Sequence, residues 1–265
     1  MIAGAFGVPH NPHFPTWVAD GHPLAGEIER LYGEVARPLR AAAPDVLVCF
    51  TADHYNLFWE TVPPFALAAA ESAAGASDYP ELRGEWRIDA ALARDLHGHL
   101  LDGGFDVAVL QELALDHTLV APLLLLGATD VAIVPVFVNG LIPPLPSAAR
   151  CLALGRAIGA ALGDRRAAVL ASGSFSLEIG GPRISADSHT GVPDPGWVER
   201  VLELLRTGDV ERLVAEATPD RLWAAGNAGG ELLEWIAMLG AAAPSGPPAF
   251  LEAQMQFGHA YAAWT

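Results

Sequence analysis

Nine histidines occur in the chain, at positions 10, 13, 22, 54, 97, 99, 117, 189 and 259. Three share a placement. His10 follows the apolar run at 2–8, His54 follows DVLVCFTAD, and His117 follows FDVAVLQELALD. In open α/β sheets, ligands bind beyond the carboxyl ends of strands, where polar groups distant in sequence converge. Imidazoles gathered at such a rim suit metal binding or acid–base work. A single histidine taken alone reads as an ordinary loop residue. Glu231 can join them: it follows Gly229-Gly230 and opens an apolar run containing Trp235. An ordinary first-turn glutamate favoured by the helix dipole reads the same way on spacing alone. Two imidazoles and one carboxylate on one face of a metal leave open positions, as in non-haem Fe(II) oxygenases. Zinc hydrolases use the same donor types, so the donors alone do not choose the metal.

The elements that must position these groups are legible as apolar runs. Strand-like stretches lie at 2–8, 45–51, 105–110, 130–138 and 167–171, and helix-like stretches at 27–43, 90–101 and 148–162. From Pro195 onward the pattern reads as almost wholly helical, through 197–205, 210–217 and 230–239. Continuous rather than alternating apolar strands indicate burial on both faces. Their alternation with helices predicts an α/β fold, a mostly parallel or mixed central sheet between helical layers with its site at the strand carboxyl ends. No repeat or Gly/Pro/Ser-rich linker divides the chain, so one domain over residues 1–265 is expected.

Composition narrows the chemistry. The 265 residues carry 15 basic and 31 acidic side chains, a net charge of −16, and every basic residue is arginine. An acidic surface without a basic cluster predicts no nucleic-acid and no membrane partner. The absence of lysine excludes a lysine Schiff base and a P-loop lysine. Cys49 and Cys151 form no CxxC pair and read as small core residues. The N-terminal stretch has no basic n-region, and the greasiest run, 119–128, contains Pro122 and is too short to span a bilayer. A cytoplasmic protein is expected.

Four short motifs, in order along most of the chain, resemble the class III extradiol ring-cleavage dioxygenases, the family of the protocatechuate 4,5-dioxygenase catalytic subunit and 2,3-dihydroxyphenylpropionate dioxygenase type. They are Pro9-His10-Asn11-Pro12, Asp53-His54-Tyr55-Asn56-Leu57-Phe58 with Pro63-Pro64-Phe65, Asp116-His117 with Ala121-Pro122-Leu123, and Glu231-Leu232-Leu233-Glu234-Trp235. The resemblance implies an extradiol-dioxygenase-like domain that cleaves a catechol-type or aminophenol-type ring with O2. It implies Fe(II), ahead of Zn or Mn, held by His10, His54 and Glu231, with His117 as the catalytic base. The partners expected are a small aromatic substrate and O2. Such families also form homo-oligomers or pair with a small second subunit.

One motif departs. Where many members carry Ser-Gly-Gly-Leu-Ser-His, this chain has Ser172-Gly173-Ser174-Phe175-Ser176-Leu177, with leucine in place of a second acid–base histidine. Glu178 and His189 are the nearby titratable groups. The departure keeps two alternatives open: a metal-dependent hydrolase or lyase that does not use O2, and a non-catalytic subunit. Arg183 is the candidate partner for a substrate carboxylate, because a guanidinium matches a carboxylate with two parallel hydrogen bonds; a surface ion pair is its ordinary reading. Phe14, Trp17, Tyr55, Phe58, Trp59 and Phe175 lie near the motifs and read equally as ring-pocket lining or core. His13 reads as pocket lining or support for His10. Asp53 and Asp116 directly precede key histidines, and capping or turn roles suit them better than orienting the adjacent ring.

Overall fold

A computed structural model describes residues 2–75 and 82–265. Its strands are β1 (Ile2–Val8), β2 (Val46–Thr51), β3 (Phe65–Ala68), β4 (Ser72–Gly75), β5 (Glu85–Arg87), β6 (Ala108–Leu110), β7 (Ala114–Leu115), β8 (Ala132–Val138), β9 (Ala167–Ser172), β10 (Glu178–Ile179), β11 (Thr190–Gly191), β12 (Phe250–Gln254) and β13 (His259–Trp264). Its helices are α1 (Phe14–Ala19), α2 (Ala25–Ala42), α3 (Ala90–Asp102), α4 (His117–Leu126), α5 (Ala148–Leu162), α6 (Pro195–Thr207), α7 (Val210–Glu216), α8 (Pro219–Ala224) and α9 (Leu232–Ala242). Eight strands form one mixed sheet in the order β12-β13-β1-β9-β2-β8-β3-β6. The middle four, β1, β9, β2 and β8, are mutually parallel. Their carboxyl ends therefore share one edge.

The apolar runs are continuous because both sheet faces are covered. Leu47 and Cys49 of β2 face a core shared with Ile28, Leu31 and Val35 of α2 and with Leu119 and Leu123 of α4. Val48 and Phe50 face the opposite core, shared with Ile158 of α5 and Trp235 of α9. Alternate side chains of one strand enter opposite layers, so each must be apolar. Both cysteines are buried as expected. Among the described residues no helix is long and apolar enough to cross a membrane.

The last third is not wholly helical. β12 and β13 form a hairpin, and β13 pairs antiparallel with β1. The sequence HAYAAW carries little β-branched signal, so what makes it a strand is the open edge of β1 rather than local propensity. β3 lay outside the apolar runs and likewise forms by antiparallel pairing with β8.

Helix α9 is clamped by small residues. A Cβ on Gly155 of α5 would meet the Ala237 carbonyl oxygen at 1.9 Å, and one on Gly240 of α9 would meet the Leu152 carbonyl at 2.3 Å. Backbone therefore packs on backbone between α5 and α9. Gly155→Ala gains up to about 1 kcal/mol of helix propensity but meets a carbonyl that cannot rotate away, at about 3 kcal/mol of overpacking. A net loss of about 2 kcal/mol is expected, read as a lower urea midpoint with an unchanged slope; an unchanged or higher midpoint would show that the helices do not touch there.

Candidate active site

The shared strand edge collects the candidate groups. His10 lies two residues past the end of β1 and His54 three past the end of β2. Strand β9 runs between them and ends at Ser172. Glu231 approaches from the other side, closing a single 3-10 turn, Gly229–Glu231, that leads into α9. The two glycines before it are required by close approach: a Cβ on Gly230 would lie 2.1 Å from the Gly140 carbonyl oxygen, and one on Gly229 would lie 2.3 Å from that of Leu222. Trp235 secures the helix one turn on. Its indole lies against Gly7 of β1, and its N–H donates to the Gly173 carbonyl at 3.2 Å.

The donors converge. Glu231 Oε1 lies 2.9 Å from His54 Nε2 and 3.2 Å from His10 Nε2. Metal bonds of about 2.1 Å at right angles place neighbouring donor atoms about 3 Å apart. The other carboxylate oxygen, Oε2, accepts from the Ser174 N–H at 2.6 Å. A Cβ on Gly173 would sit 2.8 Å from Glu231 Cβ, so that position has room only for glycine.

The surrounding hydrogen bonds orient His10. Ser172 Oγ donates to the Thr118 carbonyl at 2.6 Å, which leaves it an acceptor toward His10 Nδ1 at 3.3 Å. This network places a proton on Nδ1 and turns Nε2 toward Glu231. Nε2 then faces a carboxylate oxygen in a site where Glu231 is wholly buried and His10 nearly so. Positive charge stabilises this arrangement, and a divalent metal between the donors fits their chemistry.

His117 completes the group. It is the first residue of α4, its ring centroid 4.8 Å from that of His54 and 5.8 Å from that of His10. Ring nitrogens of His10, His54 and His117 lie within 4.8 Å of one another. Two sets of three donors thus share His10 and His54, and the set with Glu231 has the tighter spacing and supplies the negative charge. Burial, and then His54, lower the His117 pKa, so its imidazole is neutral. Burial raises the Glu231 pKa, but His10 and His54 outweigh it and hold the carboxyl far below its usual range. For His54 burial works downward, and the Glu231 hydrogen bond and charge turn the net shift upward. Glu234, behind Glu231, goes the other way: burial, then Glu231 and Asp116, push it well up, so it is uncharged.

The two aspartates hold loops rather than rings. Asp116 caps α4 by accepting from Thr118 N at 3.0 Å and ties in the His54 backbone N–H at 2.8 Å. Asp53 accepts from the backbone N–H groups of Asn56, Leu57 and Phe58. Arg183 stands outside the histidine cluster. It pairs with the buried Glu178 and lies 4.2 Å over the Trp223 ring; Glu178 also accepts from Asn227 N at 2.7 Å, which ties this loop to the segment before Glu231. His13 is exposed and stacks on Trp17, outside the cluster. Phe14 and Phe175 are core, Trp59 is 71% exposed, and Phe58 lines a narrow apolar cleft with Phe137 and Asp53. His189 is exposed. Sequence reasoning missed the backbone N–H of Ser174 and the Ser172 hydroxyl, whose signal was the SGSFS stretch at the end of a strand. It also left His259 unplaced.

Comparison with known proteins adds three findings. Residues 4–262 match the family model described as the catalytic LigB subunit of aromatic ring-opening dioxygenase. A 2,3-dihydroxyphenylpropionate/2,3-dihydroxicinnamic acid 1,2-dioxygenase from Mycolicibacterium vanbaalenii is 32% identical over 84% of this chain and 83% of its own, and one from Klebsiella pneumoniae is 29% identical over 81% and 82%. A crystal structure of an uncharacterized Escherichia coli K12 protein superposes with a TM-score of 0.62 at 17% identity, covering 99% of both chains, and so shares the fold.

The geometry sets an expectation for metal retention. Glu231→Ala and His54→Ala should each lower the metal content of dialysed protein at least about 10-fold, whereas His117→Ala should retain it. Metal analysis of the three variants decides, and the reverse pattern would make His117 the third ligand.

Proposed function

The chain belongs to the family of the catalytic LigB subunit of aromatic ring-opening dioxygenases, and from that membership we propose that it is a non-haem Fe(II)-dependent extradiol dioxygenase that opens a catechol-type ring with O2. The observation that carries the proposal is the convergence of His10 Nε2, His54 Nε2 and Glu231 Oε1 at the spacing of neighbouring ligands. Bound by these three groups, Fe(II) supplies Lewis acidity toward the substrate hydroxyls and the electron-transfer capacity that reaction of an aromatic with O2 requires.

The chain's own residues do the rest. Ser172 fixes the His10 tautomer, so its lone pair faces the metal position. Glu231 provides one negative charge, leaving room for a substrate that loses a proton on binding. His117 takes that proton on a ring nitrogen that burial and the neighbouring His54 leave unprotonated at neutral pH. The buried walls exclude bulk water from the reacting groups.

The curated relatives carry a carboxylated substrate in their names, and Arg183 is the matching partner here. One of its terminal nitrogens is held by Glu178; its other N–H donors are those a propionate-type side chain would take.

Two measurements test these assignments. Protein reconstituted with Fe(II) should consume one O2 per 2,3-dihydroxyphenylpropionate or catechol, while the Zn(II) form consumes none. His117→Ala should lower kcat by about 10²–10⁴ with iron retained. Absence of oxygen uptake from the iron form with every catechol tried would refute the reading. Separately, Arg183→Lys should raise KM for 2,3-dihydroxyphenylpropionate several-fold and leave KM for catechol unchanged; equal effects on both would remove Arg183 from substrate recognition.

A further inference from the structure

His259 is the first residue of β13 and the chain's remaining buried imidazole beyond the cluster, only 3% exposed. Its Nδ1 is fully buried without a hydrogen-bond partner. Its ring neighbours offer nothing polar: Phe257 stacks at 5.4 Å and Phe14 meets it edge-on at 5.7 Å. Across the β12/β13 pair it faces Gln254, whose amide nitrogen is also buried and unpartnered. Leaving a buried polar group unpaired costs about 1–3 kcal/mol, so an incoming polar group that pairs with the imidazole is favoured.

The register places this imidazole at the candidate site. β1 and β13 pair antiparallel, with Ala5 opposite Trp264, Phe6 opposite Ala263 and Gly7 opposite Ala262. Continued to the strand end, that register sets position 10 opposite position 259. Strand alternation puts His259 on the face of Tyr261 and Ala263, which share a core with Phe6 and Val8 of β1. The turn before His259 is tied to the loop where Leu177 stands: the Gly258 carbonyl accepts from Phe175 N at 2.9 Å, and a Cβ on Gly258 would meet the Ser176 carbonyl at 2.0 Å.

We propose that His259 is a substrate-contacting residue, whose imidazole N–H donates a hydrogen bond to an oxygen of the aromatic substrate held beside His10. This deepens the ring-cleavage reading and rests on it. The hydrogen bond reaches the substrate from β13, the antiparallel neighbour of β1, and needs nothing from position 177.

The test uses the Fe(II)-loaded protein under argon with 4-nitrocatechol as probe, followed by its visible absorption. His259→Phe, which keeps the packing and removes the donor, should weaken probe binding about 10-fold, the worth of one hydrogen bond, with iron content unchanged. His259→Gln, which restores an N–H, should bind within about 3-fold of wild type; His259→Asn, with a shorter reach, should behave like the phenylalanine variant and serves if that one does not fold. Wild-type affinity in all three, or equal weakening by glutamine and phenylalanine, overturns the proposal. Loss of iron from the variants overturns it too, by assigning His259 to the metal. If the iron-loaded wild type itself fails to bind the probe, the ring-cleavage reading falls and this inference with it.

Discussion

Two imidazoles and a carboxylate oxygen meet at one largely buried point, and positive charge among them stabilises the arrangement. Glu231 is wholly buried, yet His10 and His54 keep its carboxyl ionised. A buried anion between two imidazoles favours positive charge beside it, on the rings or on an ion. The Ser172 hydroxyl enforces it, because its own proton is given to the Thr118 carbonyl and it must accept from His10. Much of the surrounding structure serves to hold these atoms against their mutual cost.

Position is maintained by backbone contact rather than by flexible side chains. Glycines at 173, 229 and 230 let the Glu231 turn press against three neighbouring segments. Gly155 and Gly240 let α9 lie directly on α5, and Trp235 fills the space over Gly7. A helix seated this way cannot slide without breaking close packing. The Glu-x-x-x-Trp spacing thus has a mechanical meaning: the carboxylate is at the site, and the indole one turn later is its anchor.

The ionisable groups divide by environment. Glu231 is kept charged by its two imidazoles, whereas Glu234, one turn away in the same interior, is kept neutral. His54 is drawn toward its charged form by Glu231, while His117 and His259 are held neutral chiefly by burial. One small volume therefore contains a charged carboxylate between two imidazoles and two further imidazoles that are uncharged. Opposite shifts in neighbouring groups of one type are what acid–base chemistry at neutral pH requires.

The sequence by itself determined the α/β class, the buried central strands, and the placement of His10 and His54 just past two of them, because continuous apolar runs and their polar ends are local patterns. It also marked Glu231, since two glycines before a glutamate and a tryptophan four residues on are local as well. It did not reveal the C-terminal hairpin: HAYAAW has weak strand propensity and becomes β13 only because β1 offers an open edge. For the same reason His259 had no visible partner in the sequence, and Arg183 could not be assigned to Glu178 and Trp223. Which groups meet depends on strand order and register, and those are settled by pairing between segments as distant as residues 5 and 264, a non-local choice that no window of sequence encodes.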